Sequence, residues 1–390
     1  MITTVDAGQT TPIVQLDMAR QEKAKELSRT LYTLRGMDLF ISMVYLTFLL
    51  FSGISPFLRD LLSYPAWLTA AIMGIIFLLV YELITLPLDY YHSKVVPQRF
   101  GLSHPGLSGL WAVDKIKGTI LIAVLSFFGI SILYSLVELS SLWWLLAALC
   151  FSLFSYILTL LLPDIFLRLF YRMQPIKDHD LKRRLIDMSE RAGSKVLGVY
   201  SLDFSRRGTT ANAMLTGEGA ARKILLSDTL LKDYPPDEIE VVLAHELGHH
   251  KLHHTFKMLV SSFLLSLAGF YLTDMVFRNI INTGLFDIQG ILDPAGLPLV
   301  LAVYAIFLLL ASPFPLAYSR YMEKQADSFS LVITGKADAF ISAENRLTNQ
   351  NLIKSQPGWL EEALFLDHPP HYKRVRAALE YQRSKAKDQN

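Results

Sequence analysis

His245, Glu246 and His249 stand in the pattern HExxH within Val241–Leu252, VVLAHELGHHKL. On a helix, imidazoles four residues apart share one face and can hold a single zinc ion between them. Glu246 cannot easily reach that metal from its own angle, but it can hold and deprotonate an attacking water, the general-base role of a zinc peptidase. The plain alternative is a surface helix rich in histidine. A catalytic zinc normally has three protein ligands, so one more must come from elsewhere in the chain. The later segment SRYMEKQADSFS offers Glu323 and Asp327, four residues apart and so on one helical face. Glu323 could coordinate the metal while Asp327 orients a ligand imidazole through its free ring nitrogen. Here the alternative is a charged helix leaving a membrane, with Arg320 and Lys324 as its expected company.

The elements that must position these groups are legible in outline. Pro235, Pro236 and Asp237 supply a helix start, and Ile239, Val242, Leu243, Leu247 and Leu252 give that helix an apolar side. Ahead of it, residues 180–192 predict an amphipathic helix, and Val196–Asp203, Ala211–Gly217 and Lys223–Leu230 predict strands, the last two joined through Gly217–Ala220.

The rest of the chain is unlike an ordinary soluble enzyme. Its 390 residues are 52% hydrophobic and only 18% charged, with a mean hydropathy of +0.34, which points to a membrane protein with a modest polar portion. Long apolar runs at about 37–58, 65–88, 118–138, 142–162, 256–276 and 296–318 each approach the length of a bilayer-crossing helix. Residues 1–36 form a polar segment in which 16–36 read as an amphipathic helix, either at the membrane surface or solvated. The expected organisation is a membrane region over 37–162 with a cytosolic loop at 89–117, a polar domain over 163–255, a membrane hairpin over 256–318, and a second polar part over 319–390. Glu82 and Asp89, near one end of the second run, mark either the interface or a water-filled interior. No basic start followed by an apolar core is present, so no cleavable signal peptide is expected.

The fold class expected is therefore a predominantly α membrane protein of six transmembrane helices, with an α+β zinc metallopeptidase domain split around the last hairpin. Six spans put both termini and the polar domain on one side. Of the 37 Lys and Arg residues only Arg59 and Arg278 fall in the opposite loops, so the positive-inside rule places that side in the cytoplasm. A net charge of +2 without a basic stripe speaks against nucleic acid as a partner. The lone Cys150, inside an apolar run, excludes an internal disulfide and speaks against a thiolate metal site.

Four segments in order, ANAMLTG (211–217), HELGHHKLHHT (245–255), EKQAD (323–327) and HPPHYKR (368–374), together resemble the type I CAAX prenyl endopeptidases, integral-membrane zinc metallopeptidases with a glutamate ligand. ITLPLDYYHSKVVPQRFGLS (84–103) is similar to the family's loop after an early helix. The resemblance implies one zinc per chain held by His245, His249 and Glu323, with Glu246 as general base and Asp327 as the acidic partner behind the ligands. It implies an edge strand carrying Asn212, Ala213 and Met214 that binds an extended substrate backbone. His368 and Arg374 match a histidine and an arginine lining the site: His368 would stabilise the oxyanion, and Arg374 would hold Asp327 or a substrate carboxylate. His254 falls on a family position; His250 and His253 do not. The substrate implied is a peptide or protein trimmed behind a prenylated C-terminal cysteine, with the lipid resting among the helices. Family members have seven membrane helices around an internal chamber, one more than is counted here, and the missing one would be the first. Competing functions are a quality-control protease of membrane proteins and, in another class, a zinc-binding scaffold or transporter. The last is disfavoured by span interiors that are almost uncharged.

Overall fold

The computed structural model describes residues 13–104, 108–217 and 222–388. The chain runs through helices α1 (Met18–Phe51), α2 (Ile54–Leu61), α3 (Ala66–Tyr90), α4 (Val96–Arg99), α5 (Ser108–Leu139) and α6 (Trp143–Phe170). A short strand β1 (Met173–Pro175) and helix α7 (His179–Arg191) lead into strands β2 (Gly198–Leu202), β3 (Ala213–Thr216) and β4 (Lys223–Ser227). Then come α8 (Asp228–Asp233), α9 (Pro236–Lys251), α10 (His254–Ile281), α11 (Leu297–Ala311), α12 (Pro313–Thr334), α13 (Ala337–Gln350), α14 (Trp359–Phe365) and α15 (His371–Asp388).

Two units emerge. One comprises Arg29–Leu162 and Phe256–Pro315 and is wholly helical. Five helical stretches among the described residues are long and apolar enough to cross a membrane: Met18–Phe51, Ala66–Arg99, Leu110–Leu139, His254–Ile281 and Pro294–Ala311. The sixth expected span, 142–162, falls within α6, a helix of 28 residues. The surface helix expected over 16–36 is not a separate element. Asp17 caps the start of α1 by accepting from the N–H groups of Ala19 and Arg20. With no proline to stop it, the helix runs on through Gly36 into the first span. The loop expected over 89–117 is also mostly helix. Pro87 lies inside α3 and removes one backbone donor, and a π-helical turn, Tyr91–Val95, carries the chain onward into α4. Glu82 and Asp89 both pair with Lys115 of α5, an ion triad that joins α3 to α5.

The other unit gathers the described parts of Met1–Ser28, Pro163–Thr255 and Leu316–Asn390. Its sheet has the order β1-β2-β4-β3, with β2 and β4 parallel and the other pairs antiparallel, which leaves β3 at an edge. The strands are shorter than the periodicity suggests. β4 ends at Ser227 because the Ser227 hydroxyl accepts from Leu230 N–H and starts α8 there. β1, three residues including a proline, is too short for alternation to reveal. The expected Gly217–Ala220 connection falls largely outside the described residues.

Helix α9 sits between this sheet, α7 and α13, with Leu243, Ala244 and Leu247 fully buried. Its acidic first turn is matched by cations on three neighbours. Arg184 reaches Asp237 (2.6 Å) and Glu240 (2.7 Å), Lys336 pairs with the same two carboxylates, and Arg346 holds the fully buried Glu238 (2.8 Å). Acidic groups at a helix N-terminus also favour its dipole. Val14 laces the N-terminal segment onto α13: its N–H donates to Ser342 Oγ (3.1 Å) and its C=O accepts from Asn345 Nδ2 (2.7 Å).

Helix α12 approaches α9 closely at Gly248. A Cβ there would lie 3.1 Å from the Ala326 Cα, 3.2 Å from Phe329 Cδ1 and 3.3 Å from the Ala326 carbonyl oxygen. Backbone cannot swing aside as a flexible side chain can. Gly248→Ala is therefore expected to cost about 1–3 kcal/mol through overpacking and to weaken metal binding by pushing Glu323 away. Gly118→Ala, where the added carbon meets nothing within 4 Å, is the control. Thermal unfolding in detergent and metal content of both variants would test this, and equal behaviour would refute the close approach.

Candidate metal centre and peptide cleft

Residues from α9 and α12 converge on one point. His245 Nε2 lies 3.2 Å from His249 Nε2 and 3.2 Å from Glu323 Oε2, and His249 Nε2 lies 3.2 Å from Glu323 Oε1. Ligands about 2.0–2.1 Å from a tetrahedral metal stand about 3.3 Å apart, so the trio has the spacing of three corners of such a site. Glu323 Oε2 is buried and has no hydrogen bond of acceptable geometry, although ring nitrogens of His245 and His368 stand 3.2 and 3.4 Å away. Lone pairs directed at a shared centre rather than at one another fit a cation. Among the described residues this is the one group of three that could hold a metal.

The other ring nitrogens are also engaged. His245 Nδ1 lies 2.8 Å from Asp327 Oδ1, and Arg374 forks onto that carboxylate through Nε (2.8 Å to Oδ2) and Nη2 (2.5 Å to Oδ1). Arg374 Nη1 continues to Glu344 Oε2 (2.7 Å). Arg374 thus spends three of its five N–H groups on Asp327 and Glu344, which matches the first of the two roles offered for it. His253, at φ 55, turns the chain between α9 and α10. The turn brings the buried His254 to His249, Nδ1 to Nδ1 at 2.9 Å. If His249 keeps its Nε2 lone pair for a metal, its Nδ1–H must donate to His254 Nδ1. His254 Nε2–H then donates to Gln325 Oε1 (3.1 Å). The chain of bonds fixes one tautomer at each ring, as is usual behind metal-ligating histidines.

Burial alone would lower the His245 pKa, but the Asp327 and Glu323 carboxylates outweigh it and push it up to about 10. Burial would raise Glu323, and the two imidazoles bring it well below the usual range. Asp327 is likewise depressed, Arg374 overcoming its burial. Glu246 has its pKa raised, chiefly by burial, and among the described residues no hydrogen bond or ion pair engages it. A carboxylate shifted toward neutrality and left unengaged suits proton transfer. His368 lines the same cleft, its pKa raised by the Asp367 carboxylate 2.9 Å from Nδ1, which leaves Nε2 toward Glu323.

The cleft is lined by Asn212 and Ala213 of the sheet edge, Val241, Val242, His245 and Glu246 of α9, Phe340, Ala343, Glu344 and Leu347 of α13, and His368 and Arg374. Register decides which main-chain groups of the edge face outward. Ser227 N–H donates to Asn212 C=O (2.9 Å), so Asn212, Met214 and Thr216 turn their polar groups to β4 while Ala213 and Leu215 turn theirs outward. Met214 thus departs from expectation: its main chain faces Leu225 and its side chain packs near Leu202 and Leu225. Glu344 escaped sequence reasoning altogether. The available signal was a carboxylate within the helical stripe Phe340, Ala343, Glu344, Leu347.

The sequence profile described as Peptidase family M48 matches residues 175–382, more than half of the chain. The chain belongs to that family. A second profile, described as CAAX prenyl protease N-terminal, five membrane helices, matches residues 13–172. Among curated relatives, an uncharacterized metalloprotease YhfN of Bacillus subtilis is 28% identical over 342 residues, covering 85% of this chain and 78% of its own. CAAX prenyl protease 1 of Saccharomyces cerevisiae is 27% identical, covering 78% and 71%, and the human homolog is 26% identical, covering 78% and 73%. The crystal structure of S. mikatae Ste24p superposes with a TM-score of 0.77 at 21% identity, covering 93% of this chain and 89% of that one, which establishes the fold. This M48 chain is a multi-pass membrane metalloendopeptidase related to the CAAX prenyl proteases.

Because a raised His245 pKa opposes metal uptake, loading must displace a proton. Affinity is expected to weaken as pH falls, by about tenfold per pH unit for each proton displaced. Chelator competition between about pH 6 and pH 8 measures it. Asp327→Asn should lower metal affinity by about 10–100-fold and flatten that slope, since the carboxylate sustaining the raised pKa is gone. A slope of zero in the wild type would remove His245 from the ligand set.

Proposed function

We propose that His245, His249 and Glu323 hold one zinc ion per chain and that the adjoining cleft hydrolyses peptide bonds near the C-terminus of prenylated CAAX proteins. The observation that carries this is the set of 3.2 Å separations among the ligand atoms of three residues, each imidazole facing one oxygen of Glu323, with Glu246 beside them. The N and O donor set favours zinc over the hard cations magnesium and calcium, which prefer oxygen alone. When bound, zinc supplies a Lewis acid that polarises a carbonyl and acidifies water.

The chain's own groups do the rest. The substrate backbone lies along Ala213 and Leu215 as an added strand, a mode that gives affinity with little demand on sequence. Glu246 takes the proton of the attacking water and delivers it to the leaving amine. Asp367 accepts from His368 Nδ1–H and favours the imidazolium, whose Nε2–H donates to the developing oxyanion. Asp327 and Arg374 keep the His245 ring in register. The excess of Lys and Arg on the side of this unit supports a cytoplasmic placement of the active site and both termini. The prenyl substrate is suggested by the likeness to the yeast CAAX prenyl protease 1 and its human homolog.

Cleavage of a farnesylated CAAX peptide beside its unprenylated twin, by purified protein in detergent, tests the whole. Selective cleavage of the lipidated peptide is expected, falling by about 10²–10⁴-fold in Glu246→Gln. His368→Ala should lower kcat by about 10²–10³-fold with little change in KM. Equal cleavage of both peptides would instead indicate a quality-control protease.

A further inference from the structure

Ala211 lies just before the edge strand, and both of its main-chain polar groups are already taken. Its N–H donates to Asn351 Oδ1 (3.0 Å) and its C=O accepts from Asn351 Nδ2 (3.1 Å). One carboxamide does for Ala211 what a neighbouring strand would do. Two residues earlier, the Thr209 C=O accepts from Gln350 Nε2 (2.7 Å), whose own Oε1 accepts from the Tyr234 hydroxyl (2.8 Å). The outward side of the chain is therefore closed at Thr209 and Ala211. At Ala213 only the N–H is engaged, by the adjacent Asn212 side chain, and β3 has no strand beyond it.

Asn351 is itself held firmly. It ends α13, donating its N–H to the Leu347 C=O (2.9 Å). Leu352 follows at φ 51, a conformation that disfavours a side chain, yet its side chain is buried. A residue kept in such a conformation is over-determined by its surroundings, here in the loop that presents the carboxamide to Ala211.

We infer that Asn351 is an end-stop for the substrate strand, limiting how far a chain can pair beyond the scissile bond. This rests on the peptidase function proposed above. A strand added antiparallel to β3, the slightly more stable pairing, runs its C-terminal side toward Ala211. The scissile bond lies beside Asn212 and Ala213, which share the cleft with His245 and Glu246. From Ala213 to Ala211, at about 3.3 Å per residue, there is room for roughly two substrate residues before Asn351. A longer tail must leave the edge and forgo pairing; the N-terminal side meets no such stop.

The test compares peptides identical up to the scissile bond but carrying tails of roughly two or roughly eight residues beyond it. Wild type should prefer the short tail. In Asn351→Ala the long-to-short ratio of kcat/KM should rise about tenfold, the worth of a main-chain hydrogen bond made available. Asn351→Asp keeps the acceptor for Ala211 N–H and loses the donor, so it should give an intermediate ratio without emptying the site. Indifference of the wild type to tail length, or an unchanged ratio in both folded variants, would overturn the end-stop. Binding of the same peptides in a Glu246→Gln background reads the stop without hydrolysis. If the wild type cuts none of these peptides while their binding depends on the tail and Asn351→Ala abolishes that dependence, the peptidase function is refuted and the end-stop is retained. Binding indifferent to the tail would refute the end-stop alone.

Discussion

Everything at the centre depends on how near α12 can come to α9. A helix carrying two histidines one turn apart is an incomplete ligand set, and what completes it lies about eighty residues away in sequence. Gly248, one residue before His249, leaves out the side chain that would hold the helices apart, so that Ala326 meets it backbone to backbone. Glu323 and Asp327 lie a turn or less on either side of Ala326, and both reach His245. The glycine is thus as much part of the constellation as the groups that do chemistry.

Close approach gathers charge, and the charge must be balanced. Glu323, Asp327, Glu344 and Glu246 all face one small volume, and four carboxylates there would repel strongly in a low dielectric. Arg374 answers two of them with three hydrogen bonds of 2.8 Å or less. A metal would answer Glu323. Glu246 has no arginine or lysine partner among the described residues, and its burial raises its pKa. The residue suited to move a proton is the one the balance leaves out.

What could be read from the sequence follows from how local each relation is. HExxH and the Glu323–Asp327 pair are relations of one helical turn, and spacing alone carries them. The start of α9 at its two prolines was equally plain. Glu344 and Asn351 act across tertiary contacts, and nothing in their immediate neighbours marks them. The same limit explains the errors in the fold. The surface helix at 16–36 looked separate because its polarity changes, but a change of polarity does not stop a helix. Segment 89–117 looked like a loop because it lies between two apolar runs, yet the helix continues past Tyr90 through the π-helical turn into α4. Met214 matched a motif whose strand alternates, and register turned it inward.

The lacing of Val14 onto α13 has a consequence in time. Its partners Ser342 and Asn345 are made some 330 residues after it, at about 5–20 residues per second during synthesis. The N-terminal segment therefore emerges first and waits through the production of every membrane helix for the surface it binds. Helix α13, whose opposite face walls the cleft, cannot be clasped by Val14 until the helices between them have been made, so this fastening of the cleft wall comes after the membrane spans that precede α13.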